Sequence, residues 1–133
     1  MENIIQVVKS LPDLLPLKPA TAIQIAEAEL QLGVSFADEY KEYLASFGAI
    51  IADGIELSGI ANSEYRNVVS LTKKEWELNP KMPRTMYVVE NTCVDGIIIW
   101  QDINGVIYQS SPVTEPKQIA ASLADYILNR TKQ

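Results

Sequence analysis

The sequence contains no histidine and only one cysteine, Cys93. The lack of histidine excludes sites in which an imidazole activates a serine or cysteine, and it leaves zinc with a single soft ligand. One cysteine excludes an intramolecular disulfide, which favours a reducing compartment. Because Cys93 lies between predicted strands and has no basic neighbour in the sequence, we expect a buried structural thiol there.

Long apolar runs and glycine-rich loops are also missing. The six glycines stand singly, so no phosphate-binding loop is predicted. No apolar run is long enough to span a membrane, and the first residues lack the basic segment of a secretory leader. At 133 residues and 47% hydrophobic content, the chain is expected to form one cytoplasmic domain, 1–133, with a packed core. No metal or cofactor is expected.

Basic residues are scarce in the first half of the chain. Residues 1–64 contain ten acidic side chains and three lysines, whereas residues 65–133 contain eight bases and seven acids, and the net charge is −6. This balance argues against a nucleic-acid binder, because phosphates are neutralised by a basic face. The acidic half could attract a basic partner, or it could serve only as a solvated face that keeps the protein in solution.

The stretch from Thr21 to Gly48 predicts two successive helices. Thr21 and Gln24 have the spacing of a capping box, and Gly33 stands where a left-handed residue ends the first helix. The apolar residues Ile23, Ala26 and Leu30 recur at the helical period and predict the face of this helix that packs in the core.

The second helix has its own signals. Ser35 is its predicted N-cap, with Asp38 three residues later. An apolar stripe at the helical period predicts its core face, and Gly48 ends it. The residues of the stripe are Tyr40, Tyr43, Leu44 and Phe47.

The remaining segments predict strands in the middle and a helix at the end. We expect a short helix over 2–11, an extended proline-rich connector, strands at 55–57 and 86–89, and a hairpin over 97–108. Thr72 and Glu75 form a capping-box pattern that predicts a short helix carrying Trp76. Residues 117–130 predict a last helix. Helices and strands are segregated, which is typical of an α+β fold with a mainly antiparallel sheet flanked by helices.

Few residues suggest chemistry. Asp53 with Glu56, or Glu90 with Asp95, could serve as paired carboxylates of a hydrolase, but both pairs lie at strand ends where surface acids are common. Trp100 ends an apolar run and is expected in the core. Trp76 follows two lysines and could be an exposed anchor for a partner, although packing against the sheet is the favoured alternative.

The segment IQIAEAELQLGVSFADEYKEYLASFG (23–48) resembles the signature of the SUKH superfamily, the group around the Smi/Knr cell-wall regulators and bacterial immunity proteins. The residues GIELSGI (54–60), the strand 86–89, the hairpin 97–108 and ASLADYIL (121–128) follow in the family's order, so the resemblance covers about residues 20–130. Phe36-Ala37 departs from the proline usual after the connector. The matching positions of the signature are Ile25, Glu29, Leu30, Leu32, Gly33, Tyr40, Leu44, Phe47 and Gly48.

The resemblance implies a single α+β domain that binds a protein and is not an enzyme. Many bacterial members are immunity proteins that neutralise a cognate toxin, often a nuclease domain, and a basic toxin would suit this acidic chain. A regulatory or scaffolding module is the alternative, and a carboxylate-dependent hydrolase is a third. We expect the partner contacts on loops and strand ends along one rim of the sheet. These candidates are Asp53, Glu56, Glu64, Tyr65, Trp76, Glu90, Asp95 and Asp102.

Overall fold

A computed structural model of the chain describes residues 3–131, and within them it has five helices and two antiparallel sheets. The α+β prediction is confirmed, although the strands form two sheets. The helices are α1 (Ile4–Lys9), α2 (Ala22–Leu32), α3 (Asp38–Phe47), α4 (Val68–Leu78) and α5 (Leu123–Thr131). The first residue of the helix predicted over 2–11 lies outside the described residues. Between residues 3 and 131, no helix has the length and apolar content needed to cross a membrane.

The two sheets have simple antiparallel order. The first sheet contains β1 (Leu15–Pro16), β2 (Ile50–Ala52) and β3 (Ile55–Leu57) in that order. The second contains β4 (Tyr87–Asn91), β5 (Ile98–Gln101), β6 (Ile107–Ser111) and β7 (Thr114–Ala120), each paired with the next. The predicted hairpin is β5–β6, and part of the proline-rich connector forms β1 against β2.

Helix α2 begins and ends as predicted but packs through another face. The capping box of Thr21 is formed, and Gly33 is left-handed with a φ of 68°. The buried residues are Ile25, Ala28 and Leu32, so the prediction that the stripe beginning at Ile23 faces the core is wrong. Both stripes have the same i, i+3, i+7 spacing and differ by two positions, about 200° around the helix. Periodicity therefore could not choose between them.

Helix α3 is held at its start by residues distant in sequence. The prediction of a Ser35 cap is wrong, because the N-cap is Ala37 and has no side-chain cap. The Glu29 carboxylate accepts the Phe36 N–H at 2.8 Å, and the Tyr87 hydroxyl accepts the Ala37 N–H at 2.9 Å. The predicted aromatic stripe of α3 is buried, as expected.

Ser58 joins the two sheets just after β3. Its N–H donates to the Val89 carbonyl at 2.9 Å, and its hydroxyl donates to the Val88 carbonyl at 2.7 Å. The register of β4 against β5 shifts between Val88 and Glu90. The residue between them is Val89, whose carbonyl accepts the Ser58 N–H. The Tyr43 hydroxyl donates to the Ser58 carbonyl at 2.9 Å, which ties α3 to the same junction.

Two predicted helices have different limits in the structure. The helix that carries Trp76 begins at Val68, where the Asn67 side chain accepts the N–H groups of Val69 and Ser70, so the capping box at Thr72 is wrong. The predicted helix 117–130 is wrong over its first part, because residues 114–120 form β7 and pair with β6. Tertiary pairing overrides the helical pattern there.

Candidate protein interface

The eight predicted contact residues differ in exposure. Five lie exposed on the surface, Asp102 is half-buried, and Trp76 and Glu90 are buried. The exposed residues are Asp53, Glu56, Glu64, Tyr65 and Asp95. Their role in partner binding stays a prediction, whereas an outward role for the two buried residues does not fit the fold.

Trp76 belongs to the core and is not a surface anchor. Its side chain is only 7% exposed, on the buried face of α4. The Arg84 guanidinium lies 5.4 Å from the centre of its ring, in a cation–π position that covers it further. The prediction of an exposed anchor is therefore wrong, because Trp76 is buried within the fold.

Glu90 is the centre of a buried polar network, so its prediction as a surface contact is wrong. It is 2% exposed. One carboxylate oxygen accepts the Tyr126 hydroxyl at 2.5 Å and the Arg130 guanidinium, and the other accepts the Glu56 N–H at 3.1 Å. Arg130 also donates to the Gly54 carbonyl at 2.9 Å. A buried carboxylate needs such partners, and here they fix α5 against both sheets.

The Glu90 network perturbs the groups that it binds. Burial raises the pKa of the Tyr126 hydroxyl, and the nearby Glu90 charge raises it further. Burial lowers the pKa of Arg130, but its bonds to Glu90 outweigh that effect and hold the pKa above its ordinary value. Tyr126 is therefore neutral and Arg130 is charged at neutral pH.

Four of the exposed candidates are brought near one another around the β2–β3 hairpin. Asp53 lies in its turn with a φ of 36°, and Glu56 lies on β3. The Glu56 carboxylate is 3.8 Å from the Arg66 guanidinium, and Arg66 directly follows Glu64 and Tyr65 in the chain. Two polar atoms of Arg66 are buried without a hydrogen-bond partner in the structure. The charge of Glu56 is thus partly compensated within the protein.

The other two acids do not share a rim with each other. Asp95 precedes β5 and Asp102 follows it, so they lie at opposite ends of this strand. The Asp102 carboxylate accepts the N–H groups of Asn104 at 2.9 Å and Val106 at 3.0 Å, which gives it a role in shaping the β5–β6 turn. The prediction of one continuous rim is therefore wrong. Cys93, expected to be buried, is exposed in the β4–β5 turn with a φ of 57°.

The carboxylate pairs considered for a hydrolase are not arranged as two free acids. Glu90 is committed to Tyr126 and Arg130, whereas Asp95 lies exposed in a turn. Glu56 faces Arg66, and Asp53 occupies a turn. Over residues 3–131, no group of three or more metal-ligating side chains is placed to hold a metal ion.

Glu39, on α3, is a structural carboxylate whose partners lie far along the chain. Its oxygens accept the N–H groups of Leu123 at 2.7 Å and Ala124 at 3.0 Å, at the start of α5. The same carboxylate accepts the Gln101 side-chain amide at 2.9 Å. Leu123 and Ala124 lie 84 and 85 positions after Glu39 in the chain, so no local pattern could have revealed these contacts.

Replacing Glu39 with glutamine is expected to lower the free energy of unfolding by about 1–2 kcal/mol, because the start of α5 loses its negative partner. Urea unfolding followed by circular dichroism measures the change. Glu42→Gln is the matched control, since Glu42 lies exposed on the same helix. Equal midpoints for the two variants would contradict the cross-chain cap.

The apolar residues of the mispredicted stripe remain on the surface. Ile23 is 72% exposed and Leu30 is 82% exposed, with the exposed Ala26 between them on α2. Exposed acids lie on the same two helices, namely Glu27 on α2 and Asp38 and Glu42 on α3. We call these six residues the α2–α3 face. Exposed apolar residues on a helix pair that also carries exposed charges are typical of a protein-binding surface.

Comparisons with known proteins agree with this architecture. The sequence model of the family described as SUKH_5, SMI1-KNR4 cell-wall, matches residues 1–132. Among solved structures, a protein from Pseudomonas syringae pv. tomato matches with a TM-score of 0.74 and 19% identity, over 97% of this chain and 96% of that chain. At this identity the likeness shows a shared fold alone. A search of curated proteins gives no match.

Proposed function

The chain belongs to the SMI1-KNR4 cell-wall family, within the SUKH superfamily that its helix pair resembles, and from this we propose that it binds and neutralises a bacterial toxin. In this proposal the protein is a stoichiometric inhibitor and not an enzyme. It acts by covering the toxin's functional surface. The partner is a basic protein, with a nuclease domain as the favoured kind.

The observation that carries the proposal is the exposure of the acidic side chains in the first half of the chain. Six acids between residues 27 and 64 lie exposed, namely Glu27, Asp38, Glu42, Asp53, Glu56 and Glu64. Lys41, the one base in that stretch, is 3.7 Å from the Glu29 carboxylate and so is already partly compensated. A surface of one sign attracts a partner of the opposite sign and speeds their association.

The proposal predicts a toxin gene beside this one, and the direct test uses the toxin domain that such a gene encodes. We expect co-expression to restore growth and the two purified chains to elute as one complex in gel filtration. Raising the salt concentration should slow association, because exposed charges are screened over about 8–10 Å at physiological ionic strength. Persistent toxicity with a soluble, folded protein and no complex would overturn the proposal.

A regulatory or scaffolding module is the alternative within the same family. It predicts a gene with no toxin gene beside it, and a partner that is not poisonous when expressed alone. Gene neighbourhood separates the two functions before any protein is made.

A further inference from the structure

Helix α2 exposes apolar side chains that the fold does not use. Its buried side is completed by Ile25, Ala28 and Leu32, whereas Ile23 and Leu30 point away from the core. Polar residues at those two positions would leave the packing unchanged. Burying an exposed Ile or Leu side chain contributes about 1.5–3 kcal/mol, so this stripe offers binding energy that the fold of the chain does not use.

The surroundings of the stripe point to the kind of partner that could cover it. A shallow depression between the two helices is lined by the alanines Ala22, Ala26 and Ala45, which lets another chain approach closely. Residues 21–48 contain five acids and one lysine. Glu29 pairs with that lysine, Glu39 binds the start of α5, and the other three acids lie exposed on α2 and α3.

We propose that the α2–α3 face docks a partner protein whose contact surface has apolar side chains surrounded by lysine and arginine. The apolar centre supplies the affinity, and the acidic rim supplies orientation and association rate. This inference rests on the proposed function and names the surface by which it is carried out. It moves the centre of the interface from the strands and loops after Gly48 to the helices before it.

A second copy of the chain fits this face poorly. A two-fold dimer through one patch brings the same patch of both subunits into contact. The exposed acids Glu27, Asp38 and Glu42 of one subunit would then face a patch that has the same acids and no free base, because Lys41 is already paired to Glu29. Like charges brought together at an interface oppose association.

Another exposed apolar site carries less information. A groove between the end of α4 and the β6–β7 turn exposes Leu78 and Val113. Lys81 and Glu115 form an ion pair of 2.6 Å beside it, so the charges there are balanced. Nothing at that groove indicates what would cover it, and it serves as a matched control.

The test compares two pairs of exposed substitutions in binding to the toxin domain that the proposed function predicts beside the gene. Ile23→Gln with Leu30→Gln removes the apolar centre of the α2–α3 face. Leu78→Gln with Val113→Gln removes equally exposed apolar residues elsewhere. We expect the first pair to raise Kd at least tenfold, the effect of losing about 1.4 kcal/mol, and the second pair to leave Kd unchanged. Both should keep the wild-type urea midpoint.

The outcomes separate the two proposals. If Ile23→Gln with Leu30→Gln binds the toxin domain as tightly as the wild type, the α2–α3 face is overturned and the proposed function stands. The same conclusion follows if binding is lost only in a separate Tyr65→Gln variant, because Tyr65 lies outside this face. No wild-type binding overturns the proposed function and this face with it. A dimer of the free protein that the first pair abolishes would assign the face to a second copy and overturn the basic partner.

Discussion

Replacing Gly59 with alanine is expected to destabilise the fold by about 3 kcal/mol or more, since overpacking against fixed atoms is not relieved by a rotamer change. A Cβ at this position would lie 1.7 Å from the Gly48 carbonyl oxygen and 3.0 Å from the Ala49 Cβ. That oxygen accepts the Ile60 N–H at 3.0 Å, and both backbone groups of Gly59 are bonded to the 66–68 segment. Neither the backbone segment at Gly48 nor the one at Gly59 can move away without breaking hydrogen bonds. Urea unfolding measures the loss.

Gly33→Ala is the control for this substitution. A Cβ there meets nothing within 4 Å, although the φ of 68° is unfavourable for alanine. That strain alone should cost about 1 kcal/mol. If Gly59→Ala were as stable as Gly33→Ala, the close contact of the two glycine segments would not exist in solution.

Replacing Glu90 with alanine is expected to lower the free energy of unfolding by about 3 kcal/mol, because a half-buried guanidinium is left without its countercharge. Tyr126 and the Glu56 N–H lose their acceptor in the same step. A residue predicted from sequence as a surface contact should therefore act on stability. Thermal and urea unfolding, read at low ionic strength, measure the effect.

A companion variant also removes the Arg130 charge that Glu90→Ala would leave unpaired. Glu90→Gln with Arg130→Met keeps similar volumes without either charge, and replacing a buried ion pair in this way is often close to neutral. We expect the double variant to be more stable than Glu90→Ala. If it were less stable, the ion pair itself and not the unpaired charge would dominate.

Local signals in the sequence predicted those parts of the fold that local chemistry decides. Thr21 with Gln24 forms its capping box, Gly33 ends α2, and the hairpin around residues 102–105 forms where expected. The prediction of a helix over residues 117–120 is wrong, because a helical pattern in the sequence does not show whether a neighbouring strand is available for pairing.

The surface was harder to predict than the fold, since exposure depends on what packs from elsewhere in the chain. In the sequence, nothing distinguishes Glu90 from other acids at strand ends, because its partner Arg130 lies 40 positions later in the chain. Trp76 follows two lysines and yet faces the core. Conversely, Ile23 and Leu30 have the spacing of core residues and lie outside. Their exposure follows only from the structure, in which another stripe of the same helix is buried.

Arg130 and Ser58 both connect the two sheets, and this affects how the molecule opens. Arg130 binds Glu90 of the four-stranded sheet and the Gly54 carbonyl in the β2–β3 turn of the three-stranded sheet, while Ser58 bonds to Val88 and Val89. Neither sheet can separate without breaking bonds that the other also needs. The backbone amides of β2 and β4 should therefore exchange with solvent hydrogen through one global opening, and the protein should lose its structure as a single cooperative unit.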